Sequence, residues 1–218
     1  FDGNALYKHP DIVALRDGLD GFLKQEVIAR HERHAALLDD ERRLFTDDGR
    51  YHPDALALIR EVRMAASRAG YYGMCVPTSL GGGGLGALAW FGGWERIYHR
   101  CADHYWLGHY AISHWAFGPS AVLERVSPRA RDEMLAGMMA GSHSMCFGMS
   151  EPDAGSDAMM MKTKAVREGD GWRISCSKIW TTNSPYADYC IVFAVTDPAR
   201  AAQRKGGISA FLVPTDAP

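Results

Sequence analysis

The stretch SHSMCFGMSEPDAGSD, residues 142–157, marks the place where the chain changes texture. Before it, apolar residues recur every three or four positions. After it, they fall into short runs separated by turn residues. SMCFGM (144–149) reads as a buried strand, and SEPDAGSD (150–157) as the loop that follows it. That loop carries three carboxylates, Glu151, Asp153 and Asp157, and two hydroxyls, Ser150 and Ser156. An acid/base cluster, a metal loop and an anion cradle are the three readings to separate. The EF-hand spacing and its closing glutamate are missing, which argues against calcium. Ala154-Gly155-Ser156 can turn the backbone so that successive N–H groups face an anion, with the Ser156 hydroxyl beside them. A plain turn with an Asx bond uses the same residues. Taken alone, the loop leaves cradle and turn both open.

Upstream, residues 1–141 read as helix. HPDIVALRDGLDGFLKQEVIARHERHAALL spaces Ile12, Leu15, Leu19, Phe22, Leu23, Val27 and Ile28 by threes and fours, one apolar stripe. HPDALALIREVRMAASRAG opens with Pro53 at a first helical position and stops at Gly70. LGALAWFGGWERIYHRC and HYWLGHYAISHWAF are apolar almost all round, so both are expected as buried helices, the second ended or bent by Gly118-Pro119. SPRARDEMLAGMMAG has Ser127 as N-cap, Pro128 behind it and Gly141 past the end.

Downstream, MKTKAVREGDGWRISCSKIW, DYCIVFAVTD and GISAFLVPTD add short strands, with Glu168-Gly169-Asp170-Gly171 as a hairpin turn. Helices followed by strands, without βαβ alternation, predict an all-helical domain over 1–141 and a β domain over 142–218. The last strand stops at PTDAP, and a sheet needs more chain to cover its edges. A fragment, or one part of a larger assembly, is the expectation.

Bulk composition narrows the partners. The 218 residues are 47% hydrophobic and 23% charged, with a formal net charge of −2, which gives no reason to expect a polyanion. No apolar run reaches the roughly 18 residues of a membrane span. Five cysteines without a CxxC pair argue against a disulfide framework or a cysteine-rich zinc site. A reducing, cytoplasmic setting fits. Because the chain opens at Phe1 rather than Met, a removed leader and a mitochondrial matrix location stay open.

GGGGLG (81–86) fits GxGxxG, but no buried strand precedes it and no βαβ unit surrounds it, so a flexible connection between helices is expected. His99, His104, His109 and His114, with Cys101, raise a metal reading. Steps of five rotate about 140° round a helix and scatter the rings, so helix-packing histidines are expected and no metal. The methionines at 138–139 and 159–161 are expected to fill apolar gaps.

SKIWTTNSPYAD (177–188) ends a strand with Trp180 and then places Thr181, Thr182 and Asn183 at a turn. An aromatic wall beside hydroxyl donors suits a flat heteroaromatic ligand. A buried tryptophan before an Asn-Ser-Pro turn is the plainer alternative.

In this order, FGMSEPDAGSD, SKIWTTN, ADYCIVFAVTD and KGGISAFLVPTD resemble the acyl-CoA dehydrogenase family, whose members carry a [ST]-E-P-x-x-G-S-D loop, then a K-x-W-[IT]-T-N turn and two such strands. VPTSLGGGGLG is similar to the family's V-P-x-x-x-G-G-x-G loop between helices. The resemblance covers nearly the whole chain. It implies α+β architecture by segregated domains: an N-terminal helical domain, a β-barrel-like middle domain and a C-terminal helical bundle, the last absent from this chain. It also implies FAD as cofactor. Phe147, Met149 and Ser150 would line the flavin, and Ser156 would meet the pyrophosphate and the substrate's CoA arm. Trp180 would pack against the isoalloxazine beside the Thr181 hydroxyl, with Thr182 near N5. Glu151 would be structural. Arg204 or Lys205 would either meet a CoA phosphate or form a solvated pair.

The implied activity is α,β-dehydrogenation of an acyl-CoA to the 2-enoyl-CoA, with electrons passed to an electron-transferring flavoprotein, in a homotetramer or dimer. In the family the base is a glutamate of the C-terminal bundle, so no catalytic residue is assigned here. Ser184-Pro185 departs from the pattern, where glycine usually follows the asparagine. A flavin monooxygenase or nitroalkane oxidase on the same scaffold, and a non-catalytic FAD-binding subunit, remain as alternatives.

Overall fold

The computed structural model describes residues 8–217. The chain divides into two compact units, Phe1–His143 and Ser144–Pro218.

The first unit is helical. Helix α1 (Pro10–Phe22) has proline in its first turn and buries Ile12, Leu19 and Phe22. The stripe continues through a π-helical stretch, Leu23–Ile28, into α2 (Ala29–Arg33). The wider π turn shifts the phase, so Leu23 and Val27 stay fully buried. Short helices α3 (Ala35–Leu38) and α4 (Glu41–Leu44) follow, the second capped by Asp40, whose carboxylate accepts from Arg42 N–H at 3.0 Å. Helix α5 (Pro53–Arg68) buries Ala55, Leu58, Ile59, Val62, Ala65 and Ala66 along one face. Helix α6 is Ala87–Cys101 and α7 is Pro128–Met139. At α7 the Ser127 hydroxyl accepts from Ala130 N–H at 3.3 Å, as its sequence position predicts. Gly141 ends α7 at φ 73°, where an added Cβ would lie 2.7 Å from the Arg63 carbonyl carbon. Arg63 in turn donates to the Gly141 carbonyl at 3.1 Å.

HYWLGHYAISHWAF is not an α-helix; it forms a 3₁₀ turn, Trp106–Tyr110, followed by irregular turns. The Ser113 N–H that a helix would use donates instead to the Tyr72 carbonyl at 2.9 Å, a tertiary bond that outcompetes the local one. Helix α6 is not buried all round. Its packed side is made of small residues, Ala89, Gly92 and Gly93, together with Ile97 and Cys101, and a Cβ on Gly93 would come within 2.6 Å of Ile112. The close approach on that side leaves Phe91 and Tyr98 exposed on the other.

The glycine run folds back on the segment before α6. Gly83 N–H donates to the Gly73 carbonyl, Gly84 to Val76 and Leu85 to Met74, at 2.9–3.0 Å. A Cβ on Gly82 would sit 2.2 Å from the Val76 carbonyl oxygen. Glycine is needed there for backbone packing, so the run is a well-bonded connection rather than a loose one.

The second unit is a five-stranded sheet: β1 (Met145–Gly148), β2 (Lys164–Glu168), β3 (Gly171–Ser175), β4 (Tyr189–Val195) and β5 (Ile208–Pro214). A short helix α8 (Pro198–Ala202) joins the last two. Strand β4 is the axis. It pairs antiparallel with β5 along its length, parallel with β1 (Phe147 opposite Ile191), and parallel with β2 at Val195. Strands β2 and β3 form the expected hairpin, Glu168 opposite Gly171, with Gly169 in the left-handed conformation. The barrel-like expectation is not met among the described residues. Strands β1, β3 and β5 each have one neighbour, so the sheet stays open.

Candidate functional site

Strand β1 runs out into Met149 and Ser150, and the chain leaving β3 returns alongside them. Ile179 N–H donates to the Ser150 carbonyl at 3.0 Å, and the Lys178 ammonium to the Met149 carbonyl at 3.1 Å. The two stretches singled out in the sequence are therefore neighbours. Phe147 is half-buried within β1, its ring 5.9 Å from that of Phe193.

Glu151 is the anchor. It is 6% exposed, and its carboxylate accepts from Lys162 N–H at 2.6 Å, Thr163 N–H at 3.0 Å, the Thr163 hydroxyl and the Lys178 ammonium at 2.8 Å. Burial alone would raise this carboxyl. Lys178, the Thr163 hydroxyl and the two backbone N–H groups together outweigh burial and hold it at about 2. The chain then closes on itself: Glu151 N–H donates to the Ala154 carbonyl at 2.9 Å and Ala154 N–H returns to Glu151 at 3.1 Å. Asp153 pairs with Lys162 at 2.6 Å. Asp157 accepts from Met159 N–H at 3.2 Å and pairs with Arg204. Each carboxylate thus binds a different local donor. They neither converge on a metal nor sit poised for proton transfer.

The tight turn lies at Glu151–Ala154 and begins three residues before the Ala154-Gly155-Ser156 step expected to make it. Gly155 has ordinary backbone angles, and a Cβ there would project into open space beside the exposed Ser156. Arg204 is engaged by Asp157, which favours a surface ion pair over a free cation at this residue, while Lys205 is exposed.

Trp180 is 87% exposed and takes a left-handed backbone, φ 57°. Both features are unusual for a large aromatic residue, since that conformation crowds the Cβ and water gains nothing from the ring. The buried-tryptophan alternative does not hold. The next residue, Thr181, keeps its hydroxyl buried and without a hydrogen-bond partner, whereas Thr182 is exposed. Asn183 makes the turn at φ 71°, donates its amide to the Met145 carbonyl at 3.1 Å, and accepts from Tyr186 N–H at 3.0 Å. The departure at Ser184-Pro185 is absorbed because asparagine tolerates the left-handed region itself.

Met149, Ser150, Trp180, Thr181 and Thr182 therefore share one edge of the β unit, where β1 ends. Ser156 is exposed after the Glu151–Ala154 turn and carries no hydrogen bond to the Trp180 stretch. The sequence reading passed over Lys178. Its place two residues before Trp180 was the available signal, but its role depends on Met149 and Glu151, nearly thirty positions earlier. A flat ring with hydrogen-bonding edges fits this edge. It would cover the exposed Trp180 and offer a partner to the Thr181 hydroxyl.

Comparison with known proteins follows the same lines. Residues 146–218 match the family model "Acyl-CoA dehydrogenase, middle domain". The human mitochondrial short-chain specific acyl-CoA dehydrogenase is 40% identical over 149 residues, 68% of this chain and 35% of that protein. Mitochondrial isovaleryl-CoA dehydrogenase of Pongo abelii is 33% identical over 155 residues, 71% of this chain and 36% of that protein. The chain thus aligns with about a third of the length of these relatives. Among solved structures, a glutaryl-CoA dehydrogenase from Mycobacterium smegmatis in complex with FADH2 superposes with a TM-score of 0.68 at 23% identity, covering 100% of this chain and 48% of that one. At that identity the superposition speaks for the fold, while the sequence matches speak for descent. The chain belongs to the acyl-CoA dehydrogenase family.

Proposed function

We propose that this chain serves an FAD-dependent enzyme that dehydrogenates an acyl-CoA thioester between its α and β carbons to the 2-enoyl-CoA. The observation that carries the reading is the Trp180–Thr181 edge: an aromatic face left in water next to a buried hydroxyl lacking a partner. Trp180 would pack against the isoalloxazine. Thr181 and Thr182 would offer hydroxyls beside it, and Phe147, Met149 and Ser150 would line its pyrimidine side. Ser156, with open space over Gly155, would meet the pyrophosphate and the CoA arm.

FAD, when bound, supplies the two-electron acceptor for the hydride equivalent lost from the β carbon. This chain's residues hold that acceptor in place. The Glu151–Lys178 pair locks the backbone on both sides of the edge, so Ser150 and Trp180 are positioned before any ligand arrives. Glu151 is not the base that removes the α-proton. A general base works best near the operating pH, and this carboxyl is held at about 2 with its oxygens already occupied.

The wider family expectations belong to the same proposal. They are closure of the β domain towards a barrel, a helical bundle bearing the base glutamate, a homotetramer or dimer, and electron transfer to an electron-transferring flavoprotein. The named relatives are mitochondrial, and either the matrix or the cytoplasm suits this reading. Among the described residues no helix is long and apolar enough to cross a membrane.

Anaerobic titration of the FAD-loaded protein with short, branched and medium acyl-CoAs tests the proposal. Bleaching of the oxidised flavin band is expected, and the order of the substrates would name the acyl class. With the base-bearing bundle present, bound flavin that stays oxidised with every acyl-CoA would sink the dehydrogenase reading. Fast reoxidation in air after bleaching would move the assignment to an oxygen-using relative.

A further inference from the structure

Three side chains from separate elements of the helical unit converge on one another. His31, on α2, is 1% exposed and sets its Nε2 2.7 Å from the Asp39 carboxylate. Asp39 follows α3. His104 follows α6 and places its Nδ1 3.9 Å from the same carboxylate oxygen. The two imidazole rings are 5.0 Å apart, and one donor atom from each of the three residues lies within 4.8 Å of the others.

We propose that His31, Asp39 and His104 form a binding site for a divalent transition-metal ion, zinc foremost. In a tetrahedral site with bonds of about 2.0–2.1 Å, neighbouring donor atoms stand roughly 3.3 Å apart. The observed 2.7 and 3.9 Å bracket that separation. For these two separations, closing on an ion needs changes of about half an ångström, which side-chain rotation supplies. Two imidazoles and one carboxylate suit zinc and its neighbours, whereas calcium and magnesium want oxygen shells. Access also fits. The side chains of Asp39 and His104 are 41% and 60% exposed over a buried His31, so an ion can enter from solvent and keep water in its fourth position.

One feature sets the strength. An imidazole that ligates through Nε2 carries its proton on Nδ1, and His31 Nδ1 is buried without a partner. A missing outer-sphere acceptor costs about 10- to 100-fold in affinity. Binding is therefore expected in the micromolar range, with one ion per chain. Without metal, the short His31–Asp39 bond holds two of the three donors together. Residues 104–117 are not an α-helix, so helical spacing does not exclude zinc in the series His99, His104, His109 and His114, yet among the described residues His99, His109 and His114 join no such cluster. This site takes one member of that series and draws the other two donors from more than sixty residues upstream.

The test uses the FAD-loaded full chain, stripped with chelator and titrated with zinc chloride by calorimetry and with cobalt chloride by visible absorption. The expected result is one equivalent per chain and a tetrahedral cobalt spectrum. His104→Ala and Asp39→Asn, both at exposed side chains, should weaken binding at least roughly 100-fold, more than an outer-sphere loss would. Absence of saturable binding would overturn the proposal. So would a His104→Ala protein that binds zinc as tightly as wild type, which would leave His31–Asp39 as a hydrogen bond tying two helices.

Discussion

Glu151→Gln tests the physical core of the site. The substitution keeps the shape but removes the charge that compensates the buried Lys178, and it turns one acceptor oxygen into an NH₂ facing donors. The wild-type carboxyl sits at about 2, against an ordinary value of 4.5. That gap of 2.5 corresponds to about 3 kcal/mol of native-state stabilisation. It agrees with the roughly 3–5 kcal/mol lost when one partner of a buried pair is removed. Because the folded value is depressed, the stabilisation is fully present above about pH 4.5 and is lost as the pH falls through 2. At pH 3 it should have shrunk to about 1.5 kcal/mol. Urea unfolding of both proteins, followed by circular dichroism at pH 7 and pH 3, reads this directly. The variant should be less stable by about 3 kcal/mol at pH 7, with the gap roughly halved at pH 3. A loss under about 1 kcal/mol at pH 7, or a gap independent of pH, would refute the claim that Glu151 is an ionised structural anchor.

Other outcomes follow from the same geometry. Trp180→Gly should leave stability within about 1 kcal/mol of wild type or raise it, because the ring is exposed and its backbone left-handed, while FAD affinity falls at least tenfold by flavin-fluorescence titration. A large loss of stability would mean that the ring packs on protein instead. Gly82→Ala should destabilise the helical unit by about 3 kcal/mol, since its Cβ would lie 2.2 Å from the Val76 carbonyl oxygen. Gly155→Ala meets open space and should stay within about 0.5 kcal/mol of wild type, both read as thermal-melt shifts. Equal shifts for the two would contradict the backbone-packing account of the glycine run.

Much of the architecture is legible in short windows. Pro53, the Ser127-Pro128 pair and Glu168-Gly169-Asp170-Gly171 each announce a boundary through chemistry confined to a few neighbouring residues, and the structure places helix starts and a hairpin there. The site is legible to the extent that motifs in order mark its two strands. The errors have a common source. For residues 104–117, hydrophobicity alone cannot show that the Ser113 N–H is taken by Tyr72, some forty positions earlier. For α6, apolar composition cannot tell which face packs, and the small residues decided it by letting the core come close.

The sequence by itself determined the helical-then-strand order, the hairpin, the capping residues and the two loops that meet where β1 ends, since all of these depend on neighbours along the chain. Only the tertiary structure decided that Glu151 is an anchor rather than an acid, that Trp180 faces water, and that Lys178 joins the two loops. It also brought His31 and Asp39 to His104. These properties depend on burial and on partners from ten to seventy residues away, and a side chain's charge state and exposure are set by what surrounds it in space.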